Sequence, residues 1–190
     1  ATTFQAFGLD AYRKKLPGLA EYYHSGRETG KQKSPSEYAS DLVEFMNALH
    51  ERYENRVFYI FLDPSAKGLT EEVKRATRTG LDYQVILRAA ENDVALGISR
   101  VQKLLMFDIM SISPEQGNAI REFGTYEYDK KSIEKGKEVP VKESDHCVDG
   151  IRYAVMGAWD RVKHWLPRDI EKSVFVENPL DREVIDDEYI

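Results

Sequence analysis

The sequence predicts an α/β domain built on a mixed sheet flanked by helices, and three observations carry that prediction. Val57 to Leu62 (VFYIFL) is a continuous run of aromatic and aliphatic residues, the pattern of a strand buried on both faces. From there to about residue 112 strand-like and helix-like segments alternate, which favours parallel pairing. Two helix-opening signatures, Ser34-Pro35-Ser36-Glu37 and Ser113-Pro114-Glu115-Gln116, each combine a cap, a proline at the first helical position and Glu or Gln three residues after the cap.

Taken in order, Thr3 to Leu9 and Gly18 to His24 read as an antiparallel pair joined by a polar turn with Arg13, Lys14 and Lys15, and a loop follows from Ser25 to Lys33. A helix opens at Pro35 and carries Tyr38, Leu42, Phe45, Met46 and Leu49 at helical spacing. The apolar strand ends in Asp63-Pro64; a short charged helix (Thr70 to Thr79) and a strand (Tyr83 to Ala89) come next. Asp93 caps a helix with Val94, Ile98, Val101 and Leu105 along one face, followed by a short strand at Ile109 to Ile112 and a helix from Ser113 to about Phe123. Residues 125–143, with Lys135-Gly136-Lys137 at their centre, read as an extra β-hairpin before the last helix. That helix spans Asp145 to Lys163, and the chain divides into a domain at 1–165 and an acidic tail at 166–190.

A chain of 190 residues, 42 % hydrophobic and 32 % charged, is long enough for one core. No apolar run approaches the roughly twenty residues that cross a membrane, and the opening residues lack the basic and apolar regions of a signal peptide, so a cytoplasmic protein is expected. The single Cys147 excludes an internal disulfide framework and a cysteine-based zinc cluster, leaving oxygen and histidine ligands for any metal. A net charge of -6 argues against gripping nucleic acid by bulk electrostatics, yet clustered carboxylates that hold cations reverse the local sign.

Two positions carry candidate chemistry. Asp63 stands at the carboxyl end of the central apolar strand, where ligand groups collect in open α/β sheets; it equally suits a turn begun with Pro64. His146, Asp149 and Tyr153 share one face of the last helix, with Cys147, Ile151, Ala154, Val155 and Ala158 set to pack on the sheet. An imidazole and a carboxylate side by side can share a hard cation, and Asp145 and Asp149 can equally be first-turn acids favoured by the helix dipole. The Gly26 to Lys31 stretch has the wrong spacing for a phosphate loop, and His24, His50 and His164 have no acidic partner set and read as structural.

The order of elements resembles the RNase H-like succession. FLDPSAKG (61–68), RAAENDVALGISRVQKLL (88–105), YEYD (126–129) and SDHCVDGIRYAV (144–155) are similar to the nuclease domain of the large terminase subunits of tailed bacteriophages. That resemblance implies an RNase H-like endonuclease cutting concatemeric double-stranded DNA during genome packaging. It places Asp63 as the second catalytic carboxylate, Asp149 as the last and His146 as the neighbouring histidine, together holding two Mg²⁺ or Mn²⁺ ions about 4 Å apart. The first carboxylate of the pattern belongs to a strand that would precede Ala1; Asp10 falls instead in the turn beside Arg13, Lys14 and Lys15. Lys67, Lys130, Lys131, Lys135 and Lys137 are the residues placed to meet phosphates. The resemblance also implies an amino-terminal ATPase domain, a small terminase subunit and a portal protein as partners, no membrane, and action at the procapsid portal in the host cytoplasm. Rival readings are another RNase H-like nuclease of resolvase or transposase type, an actin-like ATPase half, which would need the glycine-rich phosphate loops this chain lacks, and an inactive docking module.

Overall fold

The computed structural model describes residues 1–127, 140–141 and 145–172, with side chains to residue 170. Strand β1 (Thr2–Phe7) pairs antiparallel with β2 (Leu16–His24), in register from Thr2 opposite His24 to Ala6 opposite Ala20. The Asp10 carboxylate stays in the turn, accepting from the Arg13 amide at 2.9 Å and its guanidinium at 3.3 Å. The expected loop after β2 contains one helical turn, α1 (Gly26–Thr29), because the Ser25 hydroxyl accepts from the Glu28 amide. Helix α2 (Pro35–Tyr53) opens with both bonds of the Ser34/Glu37 capping box. It leads into β3 (Val57–Leu62), α3 (Lys67–Ala76), β4 (Gln84–Ala89), α4 (Val94–Met106), β5 (Met110–Ser111), α5 (Gly117–Thr125), α6 (His146–Val162), a 3-10 turn at Lys163–Trp165, and α7 (Arg168–Lys172).

Two sheet halves result. In one, β2 stands between antiparallel β1 and parallel β5; in the other, β3 and β4 run parallel. Helices α2 and α3 cover one side around Leu42, Met46 and Val73, while α4, α5 and α6 cover the other around Leu104, Ile151 and Val155. The mixed sheet flanked by helices is the architecture the sequence predicts.

Among the described residues no strand pairs with the facing edges of β1 and β3. A cleft of about 730 Å³ lies there, bounded by Leu42 and Met46 of α2 on one side and Gly150 and Ala154 of α6 on the other, with Asp63, His146 and Asp149 in its lining. This corrects the reading of β3 as buried on both faces. Val57 and Tyr59 are exposed, Tyr59 at 41 %, because that edge and face meet the cleft.

One further local reading is revised by long-range capping, which also serves the last long helix. The Ser113-Pro114 signature forms a tight turn, with the Gln116 amide donating to Ser113 O and the Glu115 amide to Ser113 Oγ, so α5 starts only at Gly117. Its first amides, Asn118 at 2.6 Å and Ala119 at 3.1 Å, donate to the Glu21 carboxylate of β2. At α6 the cap residue Asp145 makes no side-chain cap bond. Glu122 of α5, only 4 % exposed, accepts instead from Cys147 N at 2.6 Å and Val148 N at 3.2 Å. Most of the expected hairpin at 125–143 lies outside the described residues; at its base Val141 N donates to Glu127 O.

Candidate functional site

Helix α6 runs antiparallel to β3 with a matched repeat. Four residues of helix advance about 6 Å and two residues of strand about 6.6 Å. Tyr153 therefore meets Asp63, Gly157 meets Phe61, and the Arg161 guanidinium stacks over the Tyr59 ring, 4.4 Å from its centroid. The middle contact requires glycine, since a Cβ at 157 would lie 2.2 Å from the Phe61 ring. Strand parity puts residues 59, 61 and 63 on one face, and that parity turns the Asp63 carboxylate toward α6 rather than α2.

Asp63 serves the turn and the site together. One carboxylate oxygen accepts from the Ser65 amide at 2.7 Å, while the Ala66 amide donates to the Asp63 carbonyl and leads into α3, which therefore starts at Lys67, three residues before the predicted Thr70. The other oxygen accepts from the Tyr153 hydroxyl at 2.9 Å. Burial alone would raise this carboxyl, but the Ser65 and Tyr153 hydrogen bonds and the Arg152 charge outweigh it and hold it below the usual range. Tyr153 is pushed up to about 12, first by burial and then by its bond to Asp63, so it stays a donor at neutral pH.

Asp149, one turn before Tyr153, accepts from Arg152 Nη2 at 2.8 Å through Oδ1, and its second oxygen accepts no hydrogen bond from a described residue. Asn92, in the loop after β4, accepts from Arg152 Nη2 at 3.0 Å and from the Tyr153 hydroxyl at 3.4 Å. His146 lines the same cleft with a half-exposed side chain, its Nδ1 3.9 Å from an Asp145 oxygen. Lys67 is exposed at the start of α3, four residues beyond Asp63; Lys130, Lys131, Lys135 and Lys137 lie outside the described residues.

The structure thus brings Asp63, His146, Asp149 and Tyr153 to one cleft, and it adds Asn92 and Arg152, which sequence reasoning missed. It also moves Ala154 from the sheet-packing set to the cleft lining, whereas Cys147, Ile151 and Val155 are buried as expected and Ala158 packs against their core at the cleft's edge. The signal that could have found Arg152 is its place three residues after Asp149, next to the apolar Ile151 and Val155 of the same helix. Asn92, ahead of the helix cap, carries no local signature.

No family model matches the chain, and no curated protein matches it. Solved structures do. The large terminase from a thermophilic bacteriophage, in complex with ATP-γ-S, is 30 % identical over 80 % of this chain, with a TM-score of 0.68. A second crystal form of that terminase gives 31 % identity over 80 % at 0.68, and an ADP complex 25 % over 81 % at 0.66. The chain is terminase-like. It spans 35 to 39 % of the length of those structures. Together with the mixed sheet flanked by helices, the likeness agrees with an RNase H-like fold.

The donor set suits a hard divalent cation: Asp63 and Asp149 are oxygen ligands, and Mg²⁺ is commonly bound through one or two carboxylates with water and substrate phosphate completing its shell. Among the described residues no group of three or more His, Cys, Asp and Glu side chains is placed to hold a metal ion. The candidate oxygen ligands in the cleft lining are thus Asp63 and Asp149, with His146 in the same lining.

Proposed function

We propose that this chain is the endonuclease part of a phage DNA-packaging terminase, cutting concatemeric double-stranded DNA by a two-metal mechanism. The observation that carries this reading is the convergence of Asp63 and Asp149 on one cleft, tied through Tyr153, Arg152 and Asn92, in a chain similar to large terminases. Asp63 and Asp149 would hold Mg²⁺ or Mn²⁺, which when bound supplies activation of water and stabilisation of the departing oxygen. His146, half exposed beside Asp149, would orient water or a phosphate oxygen through its imidazole. Lys67 would meet a DNA phosphate near Asp63, with the hairpin lysines as further phosphate contacts. No side chain is needed as a nucleophile.

The cleft between β1 and β3 has strand edges for walls and helices on both sides, the surroundings of a central strand. In this reading it seats one further strand, which would bring the remaining carboxylate to the Asp63 end. The ATPase domain, small terminase subunit and portal protein are the partners proposed on the same basis.

Supercoiled plasmid incubated with the protein in Mn²⁺, Mg²⁺ or EDTA tests the reading. Nicking and linearisation should require the cation and should be lost in both Asp63→Ala and Asp149→Ala. Cutting that survives both substitutions would overturn the site, and no cutting even by a chain extended upstream of Ala1 would overturn the nuclease.

A further inference from the structure

We propose that Arg152, Asn92 and Tyr153 form a clamp that fixes Asp63 and Asp149 relative to each other, with Arg152 as the positioning residue at its centre. Arg152 is 2 % exposed, an unusual place for a guanidinium. Its stem crosses α4 at Gly97, where a Cβ would stand 2.4 Å from Arg152 Cγ and 2.6 Å from Cδ, so only glycine lets the side chain through. The buried head then spends a single nitrogen, Nη2, on two acceptors: Asp149 Oδ1 at 2.8 Å and Asn92 Oδ1 at 3.0 Å. Nε and Nη1 are buried with no hydrogen-bond partner among the described residues.

Arg152 aims Nη2 between two elements, the loop after β4 and helix α6. Asn92 passes the restraint on, since the same Oδ1 accepts the Tyr153 hydroxyl, and Tyr153 donates to Asp63. Two donors converging on that atom fix the amide with its oxygen inward. The chain Asp149, Arg152, Asn92, Tyr153, Asp63 thus links the end of β3 to the first turns of α6 through an exposed loop residue. Without it, each carboxylate would be set only by its own element.

The clamp's metal-holding role rests on the nuclease reading; its existence does not. Asn92→Ala and Tyr153→Phe, singly and combined, are compared by urea unfolding, with Asn92→Asp as the variant that keeps the acceptor. Nonadditivity of at least threefold in the unfolding equilibrium constant, restored toward wild type by Asn92→Asp, is expected; additive effects would overturn the clamp. Calorimetric Mn²⁺ titration of the same proteins then separates the two ideas. Asn92→Ala and Arg152→Lys should weaken Mn²⁺ binding by roughly 10- to 100-fold, the usual loss when an outer-shell partner is removed. Coupled unfolding in a wild-type protein that binds no Mn²⁺ would sustain the clamp and overturn its metal-holding role. Unaltered Mn²⁺ affinity in both variants would overturn the positioning role.

Discussion

Among the described residues two tyrosine–aspartate pairs each have a cation beside them, and they differ in what is left over. On the α2-covered side of β2, Tyr22 donates to Asp41, and Lys33 Nζ bonds Asp41 at 2.6 Å and the Tyr22 hydroxyl at 3.3 Å. Every member serves the others, and none lines the cleft. At the end of β3, Tyr153 donates to Asp63, but the nearby Arg152 keeps two nitrogens without a partner among the described residues and Asp149 remains 34 % exposed at the cleft. Tyr22 and Tyr153 are each pushed up to about 12, by burial first and a carboxylate second. Perturbed ionisation alone therefore does not separate scaffold from site. What separates them is a part-exposed carboxylate at a cleft, Asp149, whose second oxygen accepts no hydrogen bond from a described residue.

The largest effect that would break this comparison is on activity. Asp149→Ala should lower plasmid cleavage by more than the roughly 100-fold expected for an outer-shell residue, whereas Asp41→Ala should leave the cleavage rate of the folded fraction unchanged. Next comes packing: Gly157→Ala and Gly97→Ala each drive a methyl into a side chain that is itself held, and each should cost about 1–3 kcal/mol in urea unfolding. A smaller loss, about 1 kcal/mol, is expected for Tyr22→Phe, where Lys33 still satisfies Asp41, with no change in Mn²⁺ affinity.

The smallest effect concerns acid. Burial raises Asp41, but the hydrogen bonds from Lys33 and Tyr22 outweigh it and hold the carboxyl below its ordinary value of 3.8. A depressed folded value means that its contribution is complete above the unfolded pKa and is lost as pH falls through the folded one. Stability of wild type relative to Asp41→Asn should therefore be constant near neutrality and shrink only below about pH 4. A difference that instead vanished between pH 6 and 8 would mean that another group holds the pair.

What the sequence disclosed follows from how far its patterns reach. The apolar run ending in Asp63 and the Asp149/Tyr153 spacing are local periodicities, and both placed their residues at the cleft. The helix caps at α5 and α6 were not readable, because the carboxylates that satisfy them come from elsewhere: Glu21 lies 97 residues before Asn118, and Glu122 lies 25 before Cys147. Local capping rules found Ser113 at the first of those starts, and a tertiary partner overrode it. Asn92 and Arg152 were missed for the same reason, being joined across 60 residues through a gap that exists only because position 97 lacks a side chain.

The central claim is that Asp63 and Asp149 form one cation site, and calorimetric Mn²⁺ titration of Asp63→Asn and Asp149→Asn against wild type tests it most directly. The account predicts Mn²⁺ binding by the wild-type protein that is lost or weakened at least tenfold in each variant, with folding retained by circular dichroism. Mn²⁺ binding unchanged in either folded variant would contradict it.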